Sequence, residues 1–167
     1  MRYLPALTIL LAAPAAAEVQ TASANAFAIQ HRMMVPTAPG SLFARIGQVA
    51  RWWNPEHSYS GKADNLSLEL RAGGCFCEKL PGDGGVEHLR VVYIEPGKRV
   101  VMTGGLGPLL HDAVSAVMDI QVRPFGTGSE LTLSYKAAGF ANGGADKLAP
   151  AVDGVLAEQV RRLAALR

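Results

Sequence analysis

Residues 114–137 read VSAVMDIQVRPFGTGSELTLSYKA, and their alternation decides the fold. Val114, Ala116, Met118, Ile120 and Val122 take one side of a strand; Ser115, Asp119 and Gln121 take the other. Beyond the turn FGTGS, Leu131, Leu133, Tyr135 and Ala137 alternate with Glu130, Thr132, Ser134 and Lys136. A period of two with one polar side marks an antiparallel sheet that is covered on one face and wet on the other. The apolar face the two strands share needs a second layer to bury it.

That layer is at the end of the chain. In LAPAVDGVLAEQVRRLAALR (148–167), Leu148, Val152, Val155, Leu156, Val160, Leu163 and Leu166 form one helical stripe. Asp153, Glu158, Arg161 and Arg162 lie elsewhere around the helix, with Glu158 and Arg162 spaced to pair. Pro150 belongs to the first turn of this helix or kinks it.

Working upstream, NLSLELR, CFCEKL, VEHLRVVYI and RVVMTGG are short strands closed by Gly- and Pro-rich turns. AFAIQHRMMV (26–35) alternates as a first strand. In the segment after it, Thr37 is a candidate N-cap, Pro39 falls in a first turn, and Leu42, Ile46, Val49 and Trp53 keep helical spacing up to Pro55. The expected architecture is α+β: a curved antiparallel sheet of about seven strands gripping a long C-terminal helix, with two short helices after the first strand. A curved sheet and a helix can enclose a ligand cavity.

The N-terminus reads MRYLPALTILLAAPAAAEV: a basic start, an apolar run, then Ala15-Ala16-Ala17. This is the pattern of a secretory signal peptide, too short for a membrane anchor, and it predicts cleavage after Ala17. Residues 18–25 then read as a polar N-terminal arm and 26–167 as a single domain. The implied location is secreted and periplasmic. The chain carries a formal charge of +2, which falls to +1 without Arg2. No dense Lys/Arg run provides a phosphate footprint, so no nucleic-acid partner is expected. No further apolar run is long enough to span a membrane.

The order of elements resembles the START-like (SRPBCC) superfamily, the helix-grip fold of polyketide cyclases, plant pollen allergens and activators of a heat-shock chaperone ATPase. The resemblance covers about residues 26–166. It rests on TAPGSLFARIGQVARWWNP, RAGGCFCEKLPG, YIEPGKRVVMTGG and LAPAVDGVLAEQVRRL. It implies a cavity between sheet and helix, and no particular reaction, because superfolds host many functions. Homologues of this type are sometimes labelled ATPases, but GTGSE and GGLGPLL lack the Lys-Ser/Thr ending of a phosphate loop.

Within the cavity-facing strands, GGCFCEKLPGDGGVEHL (73–89) carries the chemistry. On a strand Cys75 and Cys77 share one side, with Phe76 and Glu78 on the other. An i,i+2 disulfide needs Cα atoms closer than an extended strand gives, so the cysteines read as free or packed thiols in preference to a bridge. An oxidising compartment argues the other way. If CFCEKL and VEHLRVVYI form a hairpin with Leu80 opposite Val86, then Glu78 lies opposite His88 and Phe76 opposite Arg90. A one-residue slip would bring Glu87 inward instead, since Leu89, Val91 and Tyr93 make the second strand apolar on both faces.

A carboxylate beside an imidazole in an apolar cavity can close a hairpin as an ion pair, anchor a polar ligand group, or act as general base and orienter. The catalytic candidates are therefore Glu78 and His88. The ligand-binding set adds Trp53, His57, Tyr59, Phe76, Met102, Leu106, Met118, Tyr135, Val152 and Leu156. Trp53 is expected in the core with Trp52 at the rim, His31 as a core histidine, and the segment from Gly104 to His111 as a gate or ordinary packing. His57, Glu78 and His88 have zinc-ligand chemistry, but nothing in their spacing demands a metal, and no cofactor is expected. Three functions follow from this set: binding of a small hydrophobic or amphipathic molecule, a cyclase-like or hydrolase-like reaction, and a protein-interaction module like the chaperone activators.

Overall fold

The computed structural model describes residues 18–167, so the signal peptide expected over residues 1–17 lies outside the described residues. Eight strands form one antiparallel sheet. They are β1 (Glu18–Ser23), β2 (Ala26–Val35), β3 (Leu66–Leu68), β4 (Cys75–Lys79), β5 (Gly85–Glu95), β6 (Arg99–Gly104), β7 (Ala113–Phe125) and β8 (Gly128–Phe140). In space the order is β1-β2-β8-β7-β6-β5-β4-β3. After β2 the chain crosses to the far edge through helices α1 (Pro39–Ile46) and α2 (Val49–Trp52), then returns as a six-strand meander that closes on β2.

The β7–β8 hairpin is the longest pairing, from Ala113↔Phe140 to Phe125↔Gly128. Its Ala116, Met118, Ile120, Val122, Leu131, Leu133, Tyr135 and Ala137 are all buried, as their alternation requires. Helix α3 (Ala145–Ala165) packs over β1, β2 and β8 and against both short helices. Its Leu156, Val160 and Leu163 are fully buried, and each such side chain contributes about 1.5–3 kcal/mol of burial free energy. Pro150 lies inside α3, in its second turn, and leaves one carbonyl without its helical partner. Among the described residues no helix is long and apolar enough to cross a membrane.

Three local expectations are corrected. Residues 18–23 are not a free arm: they pair with β2 and extend the sheet by one edge strand. Within residues 19–23 Val19 alone is partly buried against the core and the others are exposed, so the polar composition is compatible with a strand. Thr37 does not cap α1. The N-cap is Ala38, and the Thr37 hydroxyl instead accepts a hydrogen bond from Arg45. The helical stripe from Leu42 to Trp53 is broken at Gly47–Gln48, which turns the chain so that Trp52 and Trp53 are both buried. Trp52 is therefore not a rim residue; its indole N–H donates to the Arg45 and Ile46 carbonyls at the end of α1.

Gly154 sits on the exposed side of α3, and a Cβ there would meet nothing within 4 Å. Gly154→Ala is expected to raise stability by about 0.5–1 kcal/mol, because the helix gains propensity at no steric cost. An unchanged or lower urea midpoint would contradict this.

Candidate functional site

Strand β4 buries alternate residues. Phe76 and Glu78 face inward, and the half-buried Cys75 and Cys77 face outward. His88 reaches the same inner face by a different device. Phe76 lies opposite Leu89 and Cys77 opposite Glu87, so His88 is the extra residue of a β-bulge. The bulge turns both His88 and Leu89 inward. It also corrects the expected register: Glu78 lies opposite Val86, not His88, and Phe76 opposite Leu89, not Arg90. Glu87 stays exposed and pairs with Arg90. Gly104, opposite Leu89, makes the bulge possible: at φ +146 it brings β6 so close that a Cβ would collide with the His88 carbonyl.

The two side chains meet all the same. His88 Nε2 lies 3.0 Å from Glu78 Oε2, with both residues buried. Glu78 accepts two further hydrogen bonds, from the backbone N–H of Tyr59 (3.1 Å) and of Ser60 (2.5 Å). The carboxylate thus fastens the segment after α2 to the sheet. Burial pushes the Glu78 pKa up, but the donors at Ser60, Tyr59 and His88 outweigh it and hold the carboxyl below its usual value. Burial also lowers His88, and the pull of Glu78 only partly offsets this. At neutral pH the pair is an ionised carboxylate and a neutral imidazole. An ionised carboxylate only accepts, so Nε2 carries the proton and Nδ1 holds a free lone pair.

Aromatic rings frame the imidazole. Phe76 stands 5.0 Å and Tyr59 5.8 Å from it, centroid to centroid, and Trp53 packs edge-on against Phe76 at 5.1 Å. The Tyr59 hydroxyl donates to the Gly107 carbonyl (2.9 Å) and lies 3.4 Å from His111 Nε2, joining the segment after α2 to the loop before β7. Partial burial and then the Glu78 carboxylate raise the Tyr59 pKa, which keeps the phenol a donor.

These groups border a cleft of about 470 Å³. Along α3 it is lined by Leu148, Ala151, Val152, Val155 and Leu156. Trp53, His57, Ser58 and Tyr59 form a second side, Leu106, Gly107, Pro108 and His111 a third, and His88 contributes its imidazole. The apolar stripe of α3 is buried at its C-terminal half, but Leu148, Val152 and Val155 are only half-buried because they face this opening.

Of the twelve expected ligand residues, the cleft brings together Trp53, His57, Tyr59, His88, Leu106, Val152 and Leu156. Glu78 stands behind His88 and supports it. Phe76, Met102, Met118 and Tyr135 are buried in the core and are not part of the lining. Tyr135 instead accepts a hydrogen bond from the Leu106 N–H, and burial pushes its pKa up to about 12. His57 turns toward Glu158 on α3 (3.5 Å). The expected ligand set does not include Ser58, Gly107, Pro108, His111, Leu148, Ala151 or Val155, although Gly107, Pro108 and His111 fall within the segment read as a gate or ordinary packing. Leu148 and Val155 are legible as members of the stripe, but nothing in the sequence marks which part of the stripe stays uncovered.

One other expectation changes. Cys75 and Cys77 are not free thiols: they form a disulfide, across a Cα separation of 5.3 Å. Opposite the β5 bulge, β4 spans less here than the roughly 6.6–6.8 Å of two fully extended residues, which brings the sulfurs into reach. The zinc-type trio of His57, Glu78 and His88 does not converge. Among the described residues the one such cluster is Cys75, Cys77 and Glu87, whose cysteines are bridged. His31 is buried as expected, with Nε2 3.0 Å from Asp153 Oδ1 on α3.

No protein-family model and no curated protein matches the chain. Solved structures do. The Mll3558 protein of Rhizobium loti aligns with a TM-score of 0.62 at 20% identity, over 84% of this chain and 96% of its own. CalU16 of Micromonospora echinospora aligns at 0.53 and 15% identity, over 90% and 85%. DynU16, a protein of the dynemicin biosynthetic locus, aligns at 0.58 and 17% identity, over 82% of this chain and 45% of its own. These likenesses establish the fold, an α+β sheet holding a C-terminal helix, and fit the helix-grip class.

Glu78→Gln replaces one accepting oxygen with an amide that donates, so at least one of the three donors loses its partner. The expected cost is about 1–3 kcal/mol, with faster amide hydrogen exchange at Tyr59 and Ser60. Unchanged exchange there would show that the carboxylate does not hold the segment. Acid should weaken the fold. His31, with burial the larger cause and Asp153 opposing it, and His88 both have folded pKa values below 6.5. As pH falls through that value, the unfolded chain takes up protons first. Their contribution is complete above pH 6.5 and is lost toward the lower folded values, so the urea midpoint should drop between about pH 7 and 5. A rise would contradict the assignment.

Proposed function

We propose that this is a START-like binding protein, exported to the periplasm, that holds a small amphipathic molecule in the cleft beside α3. The observation that carries the reading is an unfilled end of an apolar helix stripe next to one buried, oriented imidazole. The ligand's apolar body would lie along Leu148, Val152 and Val155. Its polar end would donate a hydrogen bond to His88 Nδ1. No carboxylate or fixed cation lines the cleft, and Glu78 behind His88 repels anions, so a neutral hydroxyl is the best-matched group. The volume lies within the roughly 300–1,000 Å³ of small-molecule pockets. The DynU16 locus, a biosynthetic one, is in keeping with small-molecule chemistry on this fold.

The Glu78–His88 geometry also favours a second reading. An imidazole held in one tautomer by a buried carboxylate is the arrangement of a general base with its orienter. A cyclase-like or hydrolase-like reaction would use His88 Nδ1 to take a proton from the bound molecule. Turnover that survives His88→Ala would remove that reading and leave binding alone.

A matched pair of probes tests the binding reading. 2-Naphthol should bind about tenfold more tightly than 2-methylnaphthalene, since one net hydrogen bond is worth roughly 1.4 kcal/mol. His88→Phe should abolish that preference while both probes still bind. Equal affinities in the unsubstituted protein, or no binding of either probe, would overturn it. Export is tested separately: protein recovered from the periplasm should begin at Glu18 by N-terminal sequencing.

A further inference from the structure

The Cys75–Cys77 bridge lies on the outer face of the sheet, immediately behind the Glu78–His88 pair. Both cysteines are half-buried, so small reductants have access from the solvent side. The ring closes around a single residue. The stabilisation a disulfide gives by restricting the unfolded chain grows with loop length, and here it is close to its minimum. A bridge of this kind contributes little as a staple.

Its position links it to the site. The enclosed residue is Phe76, whose ring packs against both His88 and Trp53. Cys77 directly precedes Glu78, and the register shift against β5 that turns His88 inward falls inside the ring. Across the strand Cys75 faces Arg90 and Cys77 faces Glu87. The Glu87 carboxylate lies within 4.8 Å of both sulfurs, and Arg90 is ion-paired to it and hydrogen-bonded to the Gly73 carbonyl (2.9 Å).

We propose that Cys75–Cys77 is a thiol–disulfide exchange site for a dithiol, and that its state sets the placement of Phe76, Glu78 and His88 on the opposite face. A thiolate of the dithiol attacks one sulfur. The S–S bond breaks, a mixed disulfide forms, and the other cysteine leaves as a thiolate and takes a proton. The second thiol of the partner then displaces the remaining cysteine and closes its own disulfide. The net transfer is two electrons and two protons from the dithiol to the pair. Freed of the bridge, β4 can extend toward its unbridged length, and the bulge that orients His88 loses its match.

The test uses the chain from Glu18 to Arg167 with its bridge formed, and it reads the protein, not a ligand, so it stands apart from the binding reading. Dithiothreitol without denaturant, followed by iodoacetamide and mass measurement, should add two alkyl groups per folded chain. Amide resonances of Tyr59, Ser60, Phe76, Glu78 and His88 should shift on reduction, while those of the Gly126–Thr127 turn stay in place. The His88 titration midpoint should move as well. Cys75→Ser with Cys77→Ser should give the reduced pattern; if that variant does not fold, reduction of the unsubstituted chain decides alone. Three results would overturn the proposal: alkylation only after denaturation, global unfolding on reduction, or a reduced spectrum unchanged around His88.

Discussion

A buried carboxylate has to be met by donors, and the Glu78 side chain is met by three. An unpaired charge at that depth costs several kcal/mol, so the groups that satisfy it are held wherever it sits. Those groups come from separate parts of the chain. Tyr59 and Ser60 belong to the segment after α2, and His88 to the bulge of β5. Through Tyr59 the constraint passes on to the loop before β7, and through Phe76 to Trp53 and the helices. The segment after α2, the loop before β7 and His88, which border the cleft opposite α3, therefore share one anchor. Its electrostatics follow: the carboxylate fixes one imidazole tautomer and leaves the other nitrogen as an acceptor in a mostly apolar setting.

Much of this architecture is written plainly in the chain. The alternation over 114–137 and the stripe over 148–166 each specify a face, and two faces of that size can only cover one another. That Phe76 and Glu78 share a face follows from strand alternation; that this face is the inner one is what the helix-grip resemblance implies. His88 is different. The closeness of Glu78 and His88 follows from a simple hairpin register, yet the actual register is another one, and a bulge restores the contact. A bulge adds one residue without a composition of its own, and β5 is apolar on both sides, so its pattern does not announce the slip. Gly104 is the one trace in the sequence. It reads as turn glycine, and its need for close approach to the His88 carbonyl emerges only once β5 and β6 are paired.

The cleft itself was less legible, for a reason that is general. Met102, Met118 and Tyr135 have the same alternation as residues that could line a chamber, but they are packed into the core. Hydrophobic periodicity says which way a side chain points and not whether another side chain fills the space in front of it. The opening lies instead where α3 runs past the sheet interior toward the loops. The bridge between Cys75 and Cys77 is hidden for a related reason: a fully extended strand disfavours it, and the shortening of β4 that allows it has no signature in the sequence.

The most direct test of the central claim is the tautomer of His88 at neutral pH, read from long-range proton–nitrogen correlations of its ring. A neutral ring protonated at Nε2, with an acceptor-type Nδ1, is the predicted result. An imidazolium at that pH, or a ring protonated at Nδ1, would mean that the Glu78 carboxylate does not set the state of this site.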